Sequence, residues 1–70
     1  MIILYATDTC PKCQVLKDMM NKKRIKYEEC YDINEMIKKG FKEVPKLQID
    51  GKVMNFLKAL KWIKQQEEQV

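Results

Sequence analysis

The stretch TDTCPKCQVL, residues 7–16, joins a short apolar segment to a segment with the periodicity of a helix. The apolar segment, Ile2 to Ala6, predicts a buried strand. Pro11 suits the first position of a helix, because its missing N–H is one of the donors that a helix start leaves unpaired. Residues 7–16 therefore predict a strand, a loop and a helix, with Cys10 and Cys13 at the start of the helix.

The helix that begins at Pro11 is predicted to bury one apolar face. Leu16 and Met20 are four residues apart and share that face, with Val15 and Met19 beside them. Basic residues follow, and they suit the negative end of the helix dipole. We therefore expect the helix to end near Lys23.

Three further strands are predicted, over residues 25–31, 44–50 and 52–54. Asp50-Gly51 is a strong signal for a two-residue hairpin between the last two strands. Pro45 falls near the start of the third strand, where a missing N–H is tolerated. A right-handed crossover through the first helix should make the first two strands parallel.

Two more helices complete the predicted order β-α-β-α-β-β-α. Asp32 or Asn34 can cap a short helix that runs through Lys39 and stops at Gly40. Asn55 can cap the last helix. The buried stripe predicted for this helix is Phe56, Ala59, Leu60 and Ile63, with Trp62 at its edge, and a polar tail is predicted from Gln65 onward.

Length and composition narrow the class of protein. Seventy residues suit one small domain, so residues 1–70 are interpreted as a single domain. No apolar run approaches the roughly 20 residues of a membrane span, and the start of the chain lacks the pattern of a signal peptide. We therefore expect a cytoplasmic protein without a membrane partner, and a monomer.

The charge of the chain indicates which partners to expect. Lysine and arginine total 14 against 10 acidic residues, which gives a formal net charge of +4. The sequence lacks a basic stripe with interleaved aromatic residues, so no nucleic-acid partner is expected. A basic surface instead favours attraction to acidic partner proteins.

The two cysteines of the tetrad Cys10-Pro11-Lys12-Cys13 predict dithiol–disulfide exchange. The positive end of the helix dipole and the charge of Lys12 both favour the thiolate form of Cys10, and a thiolate is the attacking species. We expect Cys10 to be the nucleophile, Cys13 the resolving thiol, and Pro11 to stiffen the loop between them. A zinc site needs four ligands, but the chain has no histidine and its only other cysteine is Cys30. A closed zinc site would therefore need carboxylates or a second chain, and no metal is expected.

Residues 5–13, YATDTCPKC, together with Val44-Pro45 and the segment Ile49-Asp50-Gly51, resemble a glutaredoxin. The resemblance covers nearly the whole chain. It implies an α/β, thioredoxin-like (glutaredoxin) fold with a four-stranded mixed sheet in the order 2-1-3-4 and three helices. It also implies that Pro45 follows a cis peptide bond and faces the tetrad, although X-Pro bonds are usually trans.

The same resemblance implies a thiol–disulfide oxidoreductase that reduces protein disulfides or mixed disulfides with glutathione. By analogy, the backbone of Val44 would pair with an extended substrate or with glutathione. The other residues expected to contact substrate or glutathione are Pro11, Lys12, Pro45, Met54 and Asn55. No cofactor is expected to bind tightly, and glutathione would enter as a co-substrate.

Three positions differ from the usual glutaredoxin pattern and leave the electron donor open. Thr7 stands where the family usually has lysine, Glu43 where it usually has threonine, and Met54-Asn55 where it usually has two glycines. Residues 40–45 also look like the redoxins that thioredoxin reductase reduces and that serve ribonucleotide reductase. An iron–sulfur cluster carrier that depends on glutathione is a further alternative.

Two residues outside the tetrad keep a simple structural interpretation beside a functional one. Cys30 is expected to be a small buried apolar residue rather than a third redox thiol. Phe41 is expected either to pack in the core or to form part of a partner surface beside the tetrad.

Overall fold

The computed structural model describes residues 1–66, and residues 67–70 lie outside the described part of the chain. The predicted polar tail falls mostly on those last residues, and Gln65 itself ends the last helix. The described residues form four strands and three helices: β1 Ile2–Tyr5, α1 Pro11–Lys22, β2 Glu28–Cys30, α2 Ile33–Lys38, β3 Lys46–Ile49, β4 Lys52–Met54 and α3 Phe56–Gln65.

The four strands form one mixed sheet in the order β2-β1-β3-β4. β1 lies in the middle, parallel to β2 and antiparallel to β3, and β4 pairs with β3 as a hairpin. The positive φ angles of Asp50 and Gly51 suit the tight turn between β3 and β4. The element order and the strand order confirm the predicted thioredoxin-like fold.

One face of the sheet carries the hydrophobic core. Leu4 of β1 is directly opposite Leu47 of β3, so their side chains lie on the same face. Both are fully buried, and they belong to a cluster that α1 and α3 cover with five residues, Cys13, Leu16, Met20, Ala59 and Ile63. Full burial of one leucine side chain contributes about 1.5–3 kcal/mol, so this cluster is the main source of stability.

Strand β2 is shorter than predicted, because the residues before it terminate α1. Arg24 adopts a positive φ of 58°, and the backbone N–H of Ile25 donates to the carbonyl of Met20 at 2.9 Å. Ile25 is buried in the core from this loop. Its backbone is engaged with the helix end, so the strand begins only at Glu28.

Strand β3 begins two residues later than predicted. The Val44–Pro45 peptide bond is cis, and the strand starts at Lys46. Proline has no N–H to donate to a neighbouring strand, so Pro45 lies before the ladder rather than within it.

Two details of the core that the sequence predicts for α1 and α3 differ in the structure. Val15 was expected beside the core, but it is 43% exposed. In α3, Ala59 and Ile63 are buried as predicted, whereas Phe56 and Leu60 are half-buried at the margin of the cluster, as Trp62 is.

The caps of α2 resolve an alternative that the sequence left open. Asp32 is the N-cap, and its carboxylate accepts hydrogen bonds from the backbone N–H groups of Asn34 and Glu35 at 3.0 and 3.3 Å. The helix ends at Lys38, one residue earlier than predicted. Gly40 follows with a φ of +78°, as expected for a residue that stops a helix.

Two lysines, one in α1 and one at its C-terminal cap, bind other elements of the chain. Lys17 Nζ donates to the hydroxyl of Tyr31 and lies 3.5 Å from a carboxylate oxygen of Glu29 in β2. The hydrogen bond with Tyr31 and then the charge of Glu29 raise the pKa of Lys17 above its usual value. Lys23 Nζ donates to the carbonyls of Lys64 and Gln66 at the end of α3.

None of the helices in residues 1–66 is long and apolar enough to cross a bilayer.

The core predicts a sharp contrast between two neighbouring substitutions in α1. Leu16 is fully buried, so Leu16→Ala should lower the free energy of unfolding by about 2–5 kcal/mol, because it leaves a cavity. Val15→Ala, at the exposed neighbour, should change it by no more than about 0.5 kcal/mol. Urea denaturation of both variants measures this difference, and equal losses would contradict the assigned packing of α1.

Candidate active site

Cys10 and Cys13 form a disulfide at the N-terminus of α1. Cys10 is the N-cap residue, with an extended backbone, and Pro11 is the first residue of the helix. The backbone N–H of Gln14 donates to the carbonyl of Cys10 at 3.2 Å and closes the first helical turn. The first turn of α1 therefore holds the two sulfurs together, with their Cα atoms 5.2 Å apart.

The two cysteines differ in their exposure to solvent. Cys13 is 1% exposed and belongs to the core cluster, where it lies on the same face of α1 as Leu16. Cys10 is only half-buried, and Pro11 and Lys12 between them are exposed. A substrate can therefore approach Cys10, whereas Cys13 is reached through Cys10.

The helix start also supplies a hydrogen bond to the sulfur of Cys10. The backbone N–H of Cys13 donates to Sγ of Cys10 at 3.1 Å, so a sulfur occupies the position that a capping oxygen usually takes. A hydrogen bond of this kind is stronger to a thiolate than to a thiol. Together with the helix dipole, the N–H of Cys13 favours a negative charge on Cys10 once the disulfide opens.

The register of the sheet brings Val44 and Pro45 to the same end of the sheet as the disulfide. Tyr5, the last residue of β1, is opposite Lys46, the first residue of β3. The chain leaves β1 toward Cys10 at the end of the sheet where Pro45 precedes β3. Pro45 is buried, and Val44 is half-buried against the core cluster to which Cys13 belongs. The cis peptide bond that the resemblance implied is confirmed.

Strand β4 ends at this same end of the sheet. Met54, its last residue, is opposite Leu47 near the start of β3, and Asn55 then caps α3. The side-chain oxygen of Asn55 accepts a hydrogen bond from the backbone N–H of Lys58 at 2.9 Å. Met54 is half-buried and Asn55 is exposed. Because β1 and β4 both end beside the start of β3, α3 begins at the same end of the sheet as α1.

A contact between Lys12 and Phe56 joins the starts of these two helices. Lys12 Nζ lies 5.5 Å from the centre of the Phe56 ring, a distance suited to a cation–π interaction. Phe56 was predicted only as a core residue. The sequence gives no signal for this contact, because Lys12 and Phe56 are far apart along the chain.

Aromatic packing also explains Phe41, for which two roles were open. The Phe41 and Tyr5 rings meet edge to face, with centres 5.1 Å apart, and Lys39 Nζ lies 5.8 Å from the centre of the Tyr5 ring. Tyr5 is buried and Phe41 is half-buried, so packing accounts for part of the Phe41 side chain.

Cys30, expected to be buried, is a half-buried free thiol in β2 opposite Tyr5.

Within residues 1–66, no group of three or more cysteine and carboxylate side chains is arranged to hold a metal ion. The chemistry that the described residues supply is that of a sulfur pair. One cysteine is half-buried, the other is buried, and both are at the positive end of a helix.

This arrangement defines a thioredoxin-like domain with a redox disulfide at the start of its first helix. The family model for glutaredoxin matches residues 2–54, which include the tetrad, Val44-Pro45 and the hairpin. The chain belongs to the glutaredoxin family, whose members are thiol–disulfide oxidoreductases. A search of the curated proteins finds no significant match to the chain.

The cap of α3 provides a test of the role of Asn55. Asn55→Ala should lower the free energy of unfolding by about 1 kcal/mol, because the N–H of Lys58 loses its acceptor. Asn55→Asp keeps an acceptor in place and should retain most of that stability. Thermal or urea unfolding of the two variants separates the capping role from any role in binding. If Asn55→Ala were as stable as the original chain, the cap would be unimportant.

Proposed function

We propose that the chain reduces disulfides in proteins, or mixed disulfides with glutathione, through the dithiol form of Cys10 and Cys13. The observation that carries this proposal is the unequal exposure of two bonded cysteines at a helix start, since Cys13 is buried and Cys10 is half-buried. The pairing of the two cysteines with each other supports two-electron exchange over the alternative of an iron–sulfur cluster carrier.

The first step forms a mixed disulfide. The thiolate of Cys10 attacks one sulfur of the substrate disulfide, and a bond forms between Cys10 and that sulfur. The bond between the two substrate sulfurs breaks, and the departing thiolate takes up a proton. The exposure of Cys10 supports its assignment as the attacking residue.

The second step forms the disulfide that the structure contains. Cys13 gives up its proton and attacks Sγ of Cys10. The bond between Cys10 and the substrate breaks, and the substrate sulfur that was bound to Cys10 departs as a thiolate. Two electrons have then passed from the dithiol to the substrate. The position of Cys13 one turn into α1, with its N–H 3.1 Å from Sγ of Cys10, supports this role.

We further propose that substrate lies on the surface formed by Val44 and by the N-termini of α1 and α3. The backbone of Val44, next to Pro45, would pair with an extended peptide or with glutathione. Met54 would contact the same molecule. The uncapped N–H groups at the start of α3, beside Asn55, would attract a carboxylate. Pro11 and Lys12 are exposed beside Cys10 and complete this surface.

Two electron donors fit this proposal, glutathione and thioredoxin reductase. Two molecules of glutathione could reduce the disulfide and leave as oxidised glutathione, or the reductase could supply both electrons. With the reductase as donor, ribonucleotide reductase is one disulfide-bearing acceptor. Because the reduced pair must be regenerated, we propose a reducing compartment such as the cytoplasm.

Serine substitutions at the two cysteines test the assigned roles. Cys10→Ser should abolish disulfide reduction, because a hydroxyl does not replace the attacking thiolate. Cys13→Ser should still attack, but it should accumulate the mixed disulfide, because the resolving thiol is missing. Mass spectrometry of each variant after exposure to a disulfide substrate detects the adduct. The assignment fails if Cys13→Ser, rather than Cys10→Ser, prevents adduct formation.

A second experiment distinguishes the two donors. The oxidised chain is offered either glutathione or thioredoxin reductase with NADPH, and the appearance of free thiols is followed. Thr7, Glu43 and Met54 replace residues that glutaredoxins usually use for glutathione, so we expect faster reduction by the reductase. Faster turnover with glutathione would reverse this assignment and leave the dithiol mechanism intact.

A further inference from the structure

Helix α3 presents a positively charged outer face. Its sequence, FLKALKWIKQ, contains three lysines and no acidic residue. Lys58, Lys61 and Lys64 are all exposed. Leu57 is 65% exposed, and it lies four residues before Lys61 and seven before Lys64, on the same side of the helix. The face therefore combines several positive charges with one exposed apolar side chain.

This face begins beside the disulfide. Lys12, between the two cysteines, lies over the ring of Phe56, the first residue of α3. From Phe56 the helix rises about 1.5 Å per residue, so Lys64 lies roughly 12 Å further along the axis. We define the α3 lysine surface as Lys12, Leu57, Lys58, Lys61 and Lys64.

The carboxylates of residues 1–66 do not neutralise the α3 lysine surface. Among residues 1–66, none of its four lysines has an ion pair. The ion pairs of Glu29 and Glu43 in that part of the chain are with Lys17 and Lys46. Within that part of the chain, three lysines without an ion pair lie along the outer side of α3, and Lys12 lies near the start of the helix. Such a row of ammonium groups attracts an extended anion.

The chemistry of the adjacent disulfide indicates what kind of anion this is. A dithiol acts on a molecule that contains a disulfide, which a polypeptide carries and a nucleic acid does not. The surface also lacks the arginine and the exposed aromatic rings that favour nucleic-acid bases, since Trp62 is half-buried. Exposed Leu57 suits an apolar side chain between the acidic residues of a peptide.

We propose that the α3 lysine surface binds an acidic segment that flanks the target disulfide of a substrate protein. This inference rests on the proposed dithiol exchange and adds a substrate class to it. An extended segment of about four residues covers roughly 13 Å, which matches the length of the surface. Such a segment would place its cysteine at Cys10 and its acidic side chains along α3.

The test uses two peptides with the same disulfide, one flanked by glutamates and one by glutamines. The full-length chain is reduced beforehand, and the second-order rate constant for a single turnover is measured with each peptide. The first variant carries three substitutions on the surface, Lys58→Gln, Lys61→Gln and Lys64→Gln. The control variant removes the same charge from exposed lysines elsewhere, by Lys26→Gln, Lys38→Gln and Lys52→Gln.

We expect the original chain to reduce the acidic peptide about tenfold faster than the neutral peptide at low salt, and this preference should shrink as salt is added. The surface variant should lose most of the preference, and the control variant should retain it. Both variants should reduce the neutral peptide at the original rate. Replacement of the same three surface residues by arginine should restore the preference.

The possible failures are distinct. If neither peptide is reduced, the proposed dithiol exchange is wrong, and this inference falls with it. If both peptides are reduced equally fast, or if both variants lose the preference equally, exchange stands and the docking surface is overturned. Tighter binding of a single-stranded oligonucleotide or of anionic vesicles than of the acidic peptide, with loss of that binding in the surface variant, also overturns the proposal.

Discussion

The burial of Cys13 between α1 and the sheet is the constraint on which the site depends. Cys13 shares a helical face with Leu16 and Met20, and all three belong to the cluster that contains Leu4 and Leu47. The packing that stabilises the domain therefore also fixes the rotation of α1 about its axis. With Cys13 held inside, Cys10 must lie at the edge of the core, at the start of the helix, where solvent reaches it.

Features set by neighbouring residues could be predicted from the sequence. The tetrad with Pro11 predicts a helix start, Asp50-Gly51 predicts a hairpin, and Asn55 predicts a cap, because each depends on a few adjacent residues. The structure contains all three. The cis peptide bond before Pro45 could not be predicted from the neighbouring residues. Only the resemblance to a family implied it, since the bare statistics of proline favour trans.

Features that depend on distant parts of the chain were missed or misplaced. The start of β2 was placed too early, because the end of α1 engages Ile25 through the carbonyl of Met20. The contact of Lys12 with Phe56 joins residues that only the packing of α1 beside α3 brings together. Neither the helix propensity of a segment nor its hydrophobic periodicity indicates which side chains come into contact between two helices.

Helix α3 separates chemistry from recognition. Its inner face, with Ala59 and Ile63, covers the core that holds Cys13, whereas its outer lysines take no part in that core. A substitution on the inner face disturbs the position of the sulfurs, but a substitution on the outer face leaves the sulfurs in place. Because α3 begins beside the tetrad, charges on its outer face can still select which disulfides reach Cys10. In a domain of this size, one helix can therefore serve both stability and partner choice, provided that the two sets of residues lie on opposite faces.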